Sequence, residues 1–538
     1  MNLTPGSTND QFRPALDEFR ELARGPANLI PVTREFAADL ETPVSVYLKL
    51  MDEPGASFLL ESVEGGEQVG RYSFVGVNPR ATISLRGRTV ERSGGAVERG
   101  SNPAPGHPFS SASFELADGR DILHELKDEL ARYKAADLPG LPRFAGGAVG
   151  YLGYDVVRFF EKLPETAAPA GGGGVETHPY DVPDAIFLLT DTLIVFDHAR
   201  HRLILLANAS LAAFDGDVEA AYVDALRRID HLAEKLLRPL PAVPTRRWGA
   251  THGNGQDIEA NMSRERYETI VRQAKEYIAA GDIFQVVLSQ RFGRRTSAHP
   301  FAVYRALRML NPSPYMFYFN FAPLDLQVIG ASPEMHVRLE DGVAAVRPIA
   351  GTRRRGASPA EDAALATELL ADPKERAEHL MLLDLGRNDV GRIAEIGSVK
   401  VTDQFFIEYY SHVMHIVSNV VGKIRPGLTA VDALMAGFPA GTVSGAPKIR
   451  AMQIIDELEV SRRGLYAGAV GYFGASGDLD TCIALRTGLV KDGTLYVQAG
   501  GGIVYDSDPD AEYEETVNKA GALFRAADEA VKFASGQG

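Results

Sequence analysis

Two stretches of this chain put carboxylates where helical geometry would gather them. In DPKERAEH, from Asp372, the residues Glu375, Glu378 and His379 stand at i, i+3 and i+4. In DPDAEYEETVNK, from Asp508, Glu512, Glu515 and Lys519 stand at i, i+3 and i+7. On a helix each set shares one face. Two helices that each present a glutamate pair suit a hard cation such as Mg²⁺, which takes oxygen ligands and is commonly held by one or two carboxylates plus substrate and water. Two solvated helix faces would carry the same spacing, and spacing alone favours that plainer reading.

A third carboxyl, Glu334, follows the strand-like run LQVIG within ASPEM. A carboxyl just past a strand end, in apolar company, can hold its proton at neutral pH and act as a general acid. Ser-Pro-Glu is equally a plain turn. VRPIAGTRRRG, from Val346, reads as a strand that ends at Gly351-Thr352 and is followed by Arg353, Arg354 and Arg355, either an anion-binding hairpin or a basic surface turn. AGTVSGAPKIRAM, from Ala440, puts a helix N-terminus near Pro447 that could face an anion, but its spacing is not that of a P-loop. Gly500, Gly501 and Gly502 follow the strand TLYVQA and allow close approach of a ligand to backbone, although a bulge or turn explains them as well.

The elements that must position these groups are legible. Ser263 caps a helix with apolar Tyr267, Ile270, Val271, Ala274 and Ile278, and Gly281 ends it. IFQVVLSQRF then reads as a strand with Phe284, Val286 and Leu288 on one face and Gln285, Val287, Ser289 and Arg291 on the other. Ser358-Pro359-Ala360-Glu361 reads as a capping box with Pro at the first helical position. Asp372-Pro373 and Asp508-Pro509 each start a helix, and Asp217 to Leu237 forms another. Pro-, Gly- and Ser-rich loops are expected from Ser101, Pro164 and Leu237, the last marking the main boundary.

Bulk properties exclude several classes. A chain of 538 residues with 45% hydrophobic and 24% charged residues can bury a large core, and its length calls for two subdomains or one very large domain. The net charge of -15 opposes a nucleic-acid partner. The single cysteine, Cys482, excludes a disulfide framework and a multi-cysteine zinc site. It lies in LDTCIALRTGLV, which reads as one buried strand, and no Gly-x-Cys-x-Gly elbow provides a glutamine-hydrolysing nucleophile. The N-terminus shows neither the basic nor the apolar region of a secretion signal, and apolar runs are too short to span a membrane, so a reducing cytoplasm is expected.

Taken in order, these strings resemble the chorismate-utilising enzymes, and among them the anthranilate synthase large components. The series comprises LLES at Leu59, GRYSF at Gly70, GDIFQVVLSQRF at Gly281 and NPSPYMFY at Asn311. It continues with ASPEM, RPIAGTRRRG, DPKERAEHLMLLDLGRNDVGR and FPAGTVSGAPK at Phe438. GLYAGAVGYF at Gly464, ALRTG at Ala484, QAGGGIVYDSDP at Gln498 and ETVNKA complete it. The resemblance runs from about Leu59 to Phe524.

What it implies can be checked residue by residue. The fold would be a mixed α+β architecture with large antiparallel sheets, outer helices and two intertwined subdomains. Residues 1–250 would form an N-terminal region and 251–538 the chorismate-binding catalytic one. Glu378 and Glu515 would hold Mg²⁺, with Glu375 and Glu512 orienting waters or ligands. Glu334 would protonate the departing 4-hydroxyl of chorismate as ammonia attacks C2, and His379 would assist the later loss of pyruvate. Gly351, Thr352, Tyr466, Arg486 and Gly500 to Gly502 would contact chorismate, with Lys519 adding positive charge. Gln285 stands where isochorismate- and salicylate-forming relatives carry a water-activating Lys, and Ala350 where aminodeoxychorismate synthases carry a nucleophilic one. Both substitutions imply ammonia as the nucleophile and anthranilate, formed through 2-amino-2-deoxyisochorismate, as the product.

The resemblance also implies a tryptophan feedback pocket built from Leu60, Glu61 and Ser62 with Pro314, Tyr315 and Met316, for which ordinary core packing is the alternative. It implies a separate glutamine amidotransferase that supplies ammonia, in a heterotetramer. An aminodeoxychorismate synthase component, or a tryptophan-binding regulator without catalysis, are the competing functions.

Overall fold

In a computed structural model the described residues are 11–63, 70–94, 112–164, 179–241, 258–410 and 413–535. Most of the expected Ser101, Pro164 and Leu237 loops fall outside them. The described strands form two antiparallel sheets of twelve. In the first, Ser57–Glu61 pairs with Tyr315–Phe321, which pairs with Leu326–Ser332. The sheet then runs through Thr487–Lys491 and Thr494–Ile503 to Gln285–Arg295. In the second, Ile349–Arg354 lies beside Val413–Lys423, and Met335–Glu340 pairs with Leu479–Ile483. Each sheet therefore draws strands from both sides of the linker after Leu237.

The sheets face each other across one apolar layer. Phe58, Phe74, Phe317 and Phe319 of the first sheet share a cluster with Val149, Tyr151, Ile186 and Cys482 of the second. Phe144 stacks on Tyr472 at 4.4 Å within this layer. Helices cover the outer faces. Phe301, Tyr304, Ala520 and Leu523 pack against the first sheet, and Leu126, Leu383 and Leu434 against the second. This layering explains strands such as Ala185–Thr190, whose residues are all buried. With a sheet on one side and helices on the other, neither strand face needs to be polar.

The expected helices start where their caps lie. Ser263 accepts from Arg266 N and Gly281 ends the helix in the left-handed region, with φ 84°. Asp372 caps Pro373–Gly391 through Lys374 N and Glu375 N, and Asp508 accepts from Ala511 N at the start of Pro509–Ser535. Ser358 caps its helix, but the box is half closed because Glu361 turns to Ala357 N and Arg354.

Four local readings need correction. Phe284 lies just outside the strand and is 72% exposed, so it does not share the core face of Val286 and Leu288. The strand at Ile349 does not end at Gly351-Thr352 but continues through Arg354, because Thr352, Arg353 and Arg354 pair with His415, Met414 and Val413. Gly500 to Gly502 form neither a bulge nor a turn. They lie inside Thr494–Ile503, opposite Ser289, Leu288 and Val287. LDTCIALRTGLV is two strands: Leu479–Ile483 belongs to the second sheet and Thr487–Lys491 to the first.

The last correction locates the site. At Ala484 to Arg486 the chain crosses between sheets, and Arg486 takes φ 47° to make the bend. A second crossing occurs between Leu326–Ser332 and Met335–Glu340, with Pro333 and Glu334 in the gap. The crossings are tied together, because Ile483 N donates to Glu334 O at 3.1 Å and Ala331 N to Arg486 O at 3.2 Å.

Candidate functional site

The paired crossings open onto a cavity of about 600 Å³ lined by Gln285, Glu334, Gly351, Thr352, Glu375, Glu378, His415, Tyr466, Arg486, Gly500, Gly502, Glu512, Glu515 and Lys519. Sequence-distant pieces thus converge on one volume, of a size that suits a small-molecule ligand.

Glu334 is buried, and its Oε1 accepts from Thr442 Oγ1 at 2.7 Å. Burial pushes its carboxyl up to about 8, against the opposing pull of the Thr442 and Ile349 hydrogen bonds. It is therefore protonated near neutral pH and able to donate. Arg486 approaches from the adjoining crossing. Burial lowers its proton affinity, yet a guanidinium keeps its charge. Arg486 is half-buried, and among the described residues no side chain is found hydrogen-bonded to it.

The carboxylates line the same cavity. Glu378 accepts from Gln285 Nε2 at 3.2 Å. Burial raises its proton affinity and the charges of Glu375 and Glu515 add to the effect, with Gln285 pulling the other way. Glu512 is raised by burial and by Glu515, and its Oε2 is buried without a partner. Lys519 Nζ bridges Glu515 Oε1 at 2.6 Å and Gly500 O at 2.9 Å. Among the described residues no three such groups lie close enough to form a ligand cluster on their own. An oxygen-only donor set, mutual repulsion and an orphaned carboxylate oxygen nevertheless fit a hard divalent cation with its remaining positions on water or substrate.

Glycines keep the volume open. A Cβ on Gly502 would lie 2.7 Å from Gln285 Nε2. Gly351 has φ 69°, and a Cβ there would lie 3.0 Å from Glu375 Oε2. Gly501 does not line the cavity; its missing Cβ faces Glu512 Oε2 at 2.5 Å.

His379 is a correction. It is fully buried and outside the cavity, with Nε2 2.6 Å from Ser418 Oγ and its ring against Phe405. Successive helical residues are turned by about 100°, so Glu378 and His379 flank Glu375 on opposite sides. The cavity takes one side and the sheet the other. Burial lowers the ring to about 4, leaving it neutral. The histidine in the cavity is His415, which the sequence reading missed. Its Nδ1 lies 2.8 Å from Gly351 O and 3.1 Å from Thr352 Oγ1. A carbonyl only accepts, so Nδ1 carries the proton and Nε2 is left basic. Its one signal is pairing across strands, since Thr352 lies directly opposite His415. Thr442 was missed likewise; it sits on a turn 108 positions from Glu334.

The arginine run is not a free anion hairpin: each guanidinium has a carboxylate partner, and of the three Arg354 is the solvated one. Arg353 binds Glu368, Asp372 and Glu375, Arg354 binds Glu361, and Arg355 binds Asp362. The Pro447 helix start lies off the cavity, and Lys448 beside it is buried against Asp389 at 2.8 Å.

A second cavity, of about 690 Å³, is lined by Leu60, Glu61, Ser62, Pro314, Tyr315 and Met316, together with Arg71, Tyr72, Arg338, Tyr472, Asp480 and Cys482. Glu61 is fixed there by Arg308 at 3.1 Å and by Tyr304. Burial drives the Cys482 thiol far above its ordinary value, so it is an inert wall residue.

The chain as a whole is similar to known proteins. The sequence profile of the chorismate binding enzymes matches residues 57–525. Anthranilate synthase component 1 of Cereibacter sphaeroides is 50% identical, covering 94% of this chain and 95% of that protein. The Pseudomonas aeruginosa protein of the same name is 48% identical, covering 95% and 98%. The crystal structure of anthranilate synthase component I from Streptococcus pneumoniae superposes with a TM-score of 0.71 at 36% identity, covering 91% of this chain and 98% of that one.

Proposed function

The chain belongs to the chorismate binding enzymes, and from that we propose that it is an anthranilate synthase component 1, which converts chorismate and ammonia to anthranilate and pyruvate as the first step of tryptophan synthesis. The observation that carries this reading is a protonated buried acid, Glu334, in one cavity with the paired carboxylates and with Arg486, which has no side-chain partner among the described residues.

Arg486 takes a substrate carboxylate with its planar fork, and Lys519 adds charge at the wall formed by Gly500 and Gly502. Tyr466, backed by Arg463 at 5.5 Å, borders the ring. Glu378 and Glu515 would hold Mg²⁺, with Glu512 and Glu375 beside them; when bound, the ion supplies positive charge against the other carboxylate. Ammonia forms the C2–N bond, the ring double bonds shift, and the C4–O bond breaks. Glu334 donates its proton so that water leaves. Gln285, a neutral amide, anchors Glu378 and cannot activate water as a lysine would. In the second stage His415 removes the C2 proton through Nε2. The enolpyruvyl C–O bond breaks, pyruvate departs after taking up a proton, and the ring becomes aromatic.

The reading extends to regulation and assembly. Tryptophan occupies the second cavity, where charged and aromatic groups suit an aromatic zwitterion. Residues 1–250 and 251–538 act as interleaved halves of a cytoplasmic enzyme, and a glutamine amidotransferase completes a heterotetramer. Among the described residues no helix is long and apolar enough to cross a membrane.

The test is the purified chain with chorismate, Mg²⁺ and either ammonium salt or glutamine. Fluorescent anthranilate is expected from ammonium and none from glutamine. Release of 4-amino-4-deoxychorismate, told by NMR from its equal-mass isomer 2-amino-2-deoxyisochorismate, would overturn the assignment.

A further inference from the structure

Of the four glutamates that the two helices bring to the cavity, Glu515 meets Lys519 with both side chains 48% exposed, whereas Glu375 is held by a far less exposed cation that has several further partners. Arg353 Nη1 donates to Glu375 Oε1 at 3.1 Å and to Thr352 O at 3.0 Å. Its Nη2 reaches Asp372 Oδ2 at 2.9 Å and its Nε reaches Glu368 Oε1 at 3.0 Å. Four of the five N–H groups a guanidinium owns are thus engaged, with the side chain only 21% exposed. Asp372 is also the cap of the Pro373 helix, so one guanidinium fixes both the start of that helix and the side chain at its first turn. A Cβ on Gly351, in the same strand, would come within 3.0 Å of Glu375 Oε2.

Charge accounting gives this arrangement a purpose. A divalent cation surrounded by four free carboxylates would be over-compensated, and the surplus negative charge would repel a dianionic substrate. We propose that Arg353 is a positioning residue that withdraws Glu375 from the cation, leaving Glu378 and Glu515 to hold it and the site open to a substrate carboxylate. The inference rests on the metal-dependent chorismate reading above. It separates Glu375 from Glu378, although both stand on one helix face and spacing treats them alike.

The experiment measures Mn²⁺ alone, by electron paramagnetic resonance titration of the full chain, alongside chorismate KM. In Arg353→Gln the released Glu375 should tighten Mn²⁺ about fivefold to tenfold while chorismate KM rises by roughly ten. The double variant Arg353→Gln/Glu375→Gln should return both to within about twofold of the parent, which a purely structural role for Arg353 would not produce. Should Arg353→Gln fail to fold, Glu375→Gln decides alone. Mn²⁺ Kd within about twofold of the parent supports withdrawal, and a tenfold weakening overturns it by making Glu375 a ligand. Unchanged or weaker Mn²⁺ binding in a folded Arg353→Gln overturns it too. Glu515→Ala separates the two levels: if Mn²⁺ binds that variant as tightly as the parent, the metal reading fails, whatever Arg353 does.

Discussion

Tyr315, in the wall of the 690 Å³ cavity, lies directly opposite Ser332 in an antiparallel pair, two residues before Glu334. The same cavity holds Cys482, which pairs with Met335, and Ser332 Oγ donates to Ile483 O at 2.7 Å. Tyr315 also donates to Asp480 at 3.0 Å and accepts from Arg338 at the same distance. A ligand that shifts Tyr315 therefore acts on the strands that flank Glu334. Coupling requires only that the ligand bind one arrangement of these strands better than the other.

Filling the second cavity should uncouple it. Ser62→Phe is expected to raise the tryptophan concentration for half-inhibition at least tenfold, with uninhibited turnover kept within about twofold. Steady-state inhibition curves check this, and a fully sensitive variant removes Ser62 from the effector site.

As the proposed general acid, Glu334 should set the alkaline limb. With its carboxyl near 8, turnover should fall as pH rises through that value, and Glu334→Gln should cost about 10²–10⁴-fold in kcat. Stability follows the same proton. The folded value lies above the ordinary one near 4.5, so the contribution is complete below that and lost as pH rises through about 8. Glu334→Gln should accordingly be more stable than the parent at pH 9, by roughly 2–4 kcal/mol, and much closer to it at pH 5. Denaturant unfolding at both pH values measures it.

The two histidines should separate cleanly. His415→Ala is expected to lose about 10²–10⁴-fold in kcat, a loss that persists at temperatures where the variant is fully folded, although removing the donor to Gly351 O also lowers its unfolding midpoint. His379→Ala should lose roughly 1–3 kcal/mol of stability, because it opens a void and leaves Ser418 Oγ without its ring partner. Its turnover at low temperature should survive. Thermal melts run beside initial rates on both variants make the comparison, and equal losses of turnover would return His379 to the chemistry.

Metal dependence should track Glu515. Glu515→Ala is expected to need at least a hundredfold more Mg²⁺ for half-maximal rate, or to be inactive. Rates measured across a Mg²⁺ series check this; an unaltered requirement moves the ion elsewhere.

Much of this was legible in residue order, because its causes are local. A cap such as Asp372 or Ser263 acts within three residues, and a period of 3.6 or 2 repeats within one element, so the helices of Glu378 and Glu515 were foreseeable. So was family membership, which ordered motifs carry without coordinates. The failures share one physical origin: burial and pairing depend on what arrives from elsewhere in the chain. His379 and Glu378 are neighbours in sequence, yet the helix turns one to the sheet and the other to the cavity. Arg353 reads as surface charge until the carboxylates of the next two helices fold onto it. Glu334 and Arg486 become a site only because two strands leave one sheet for the other at adjacent points, and periodicity contains no term for that crossing.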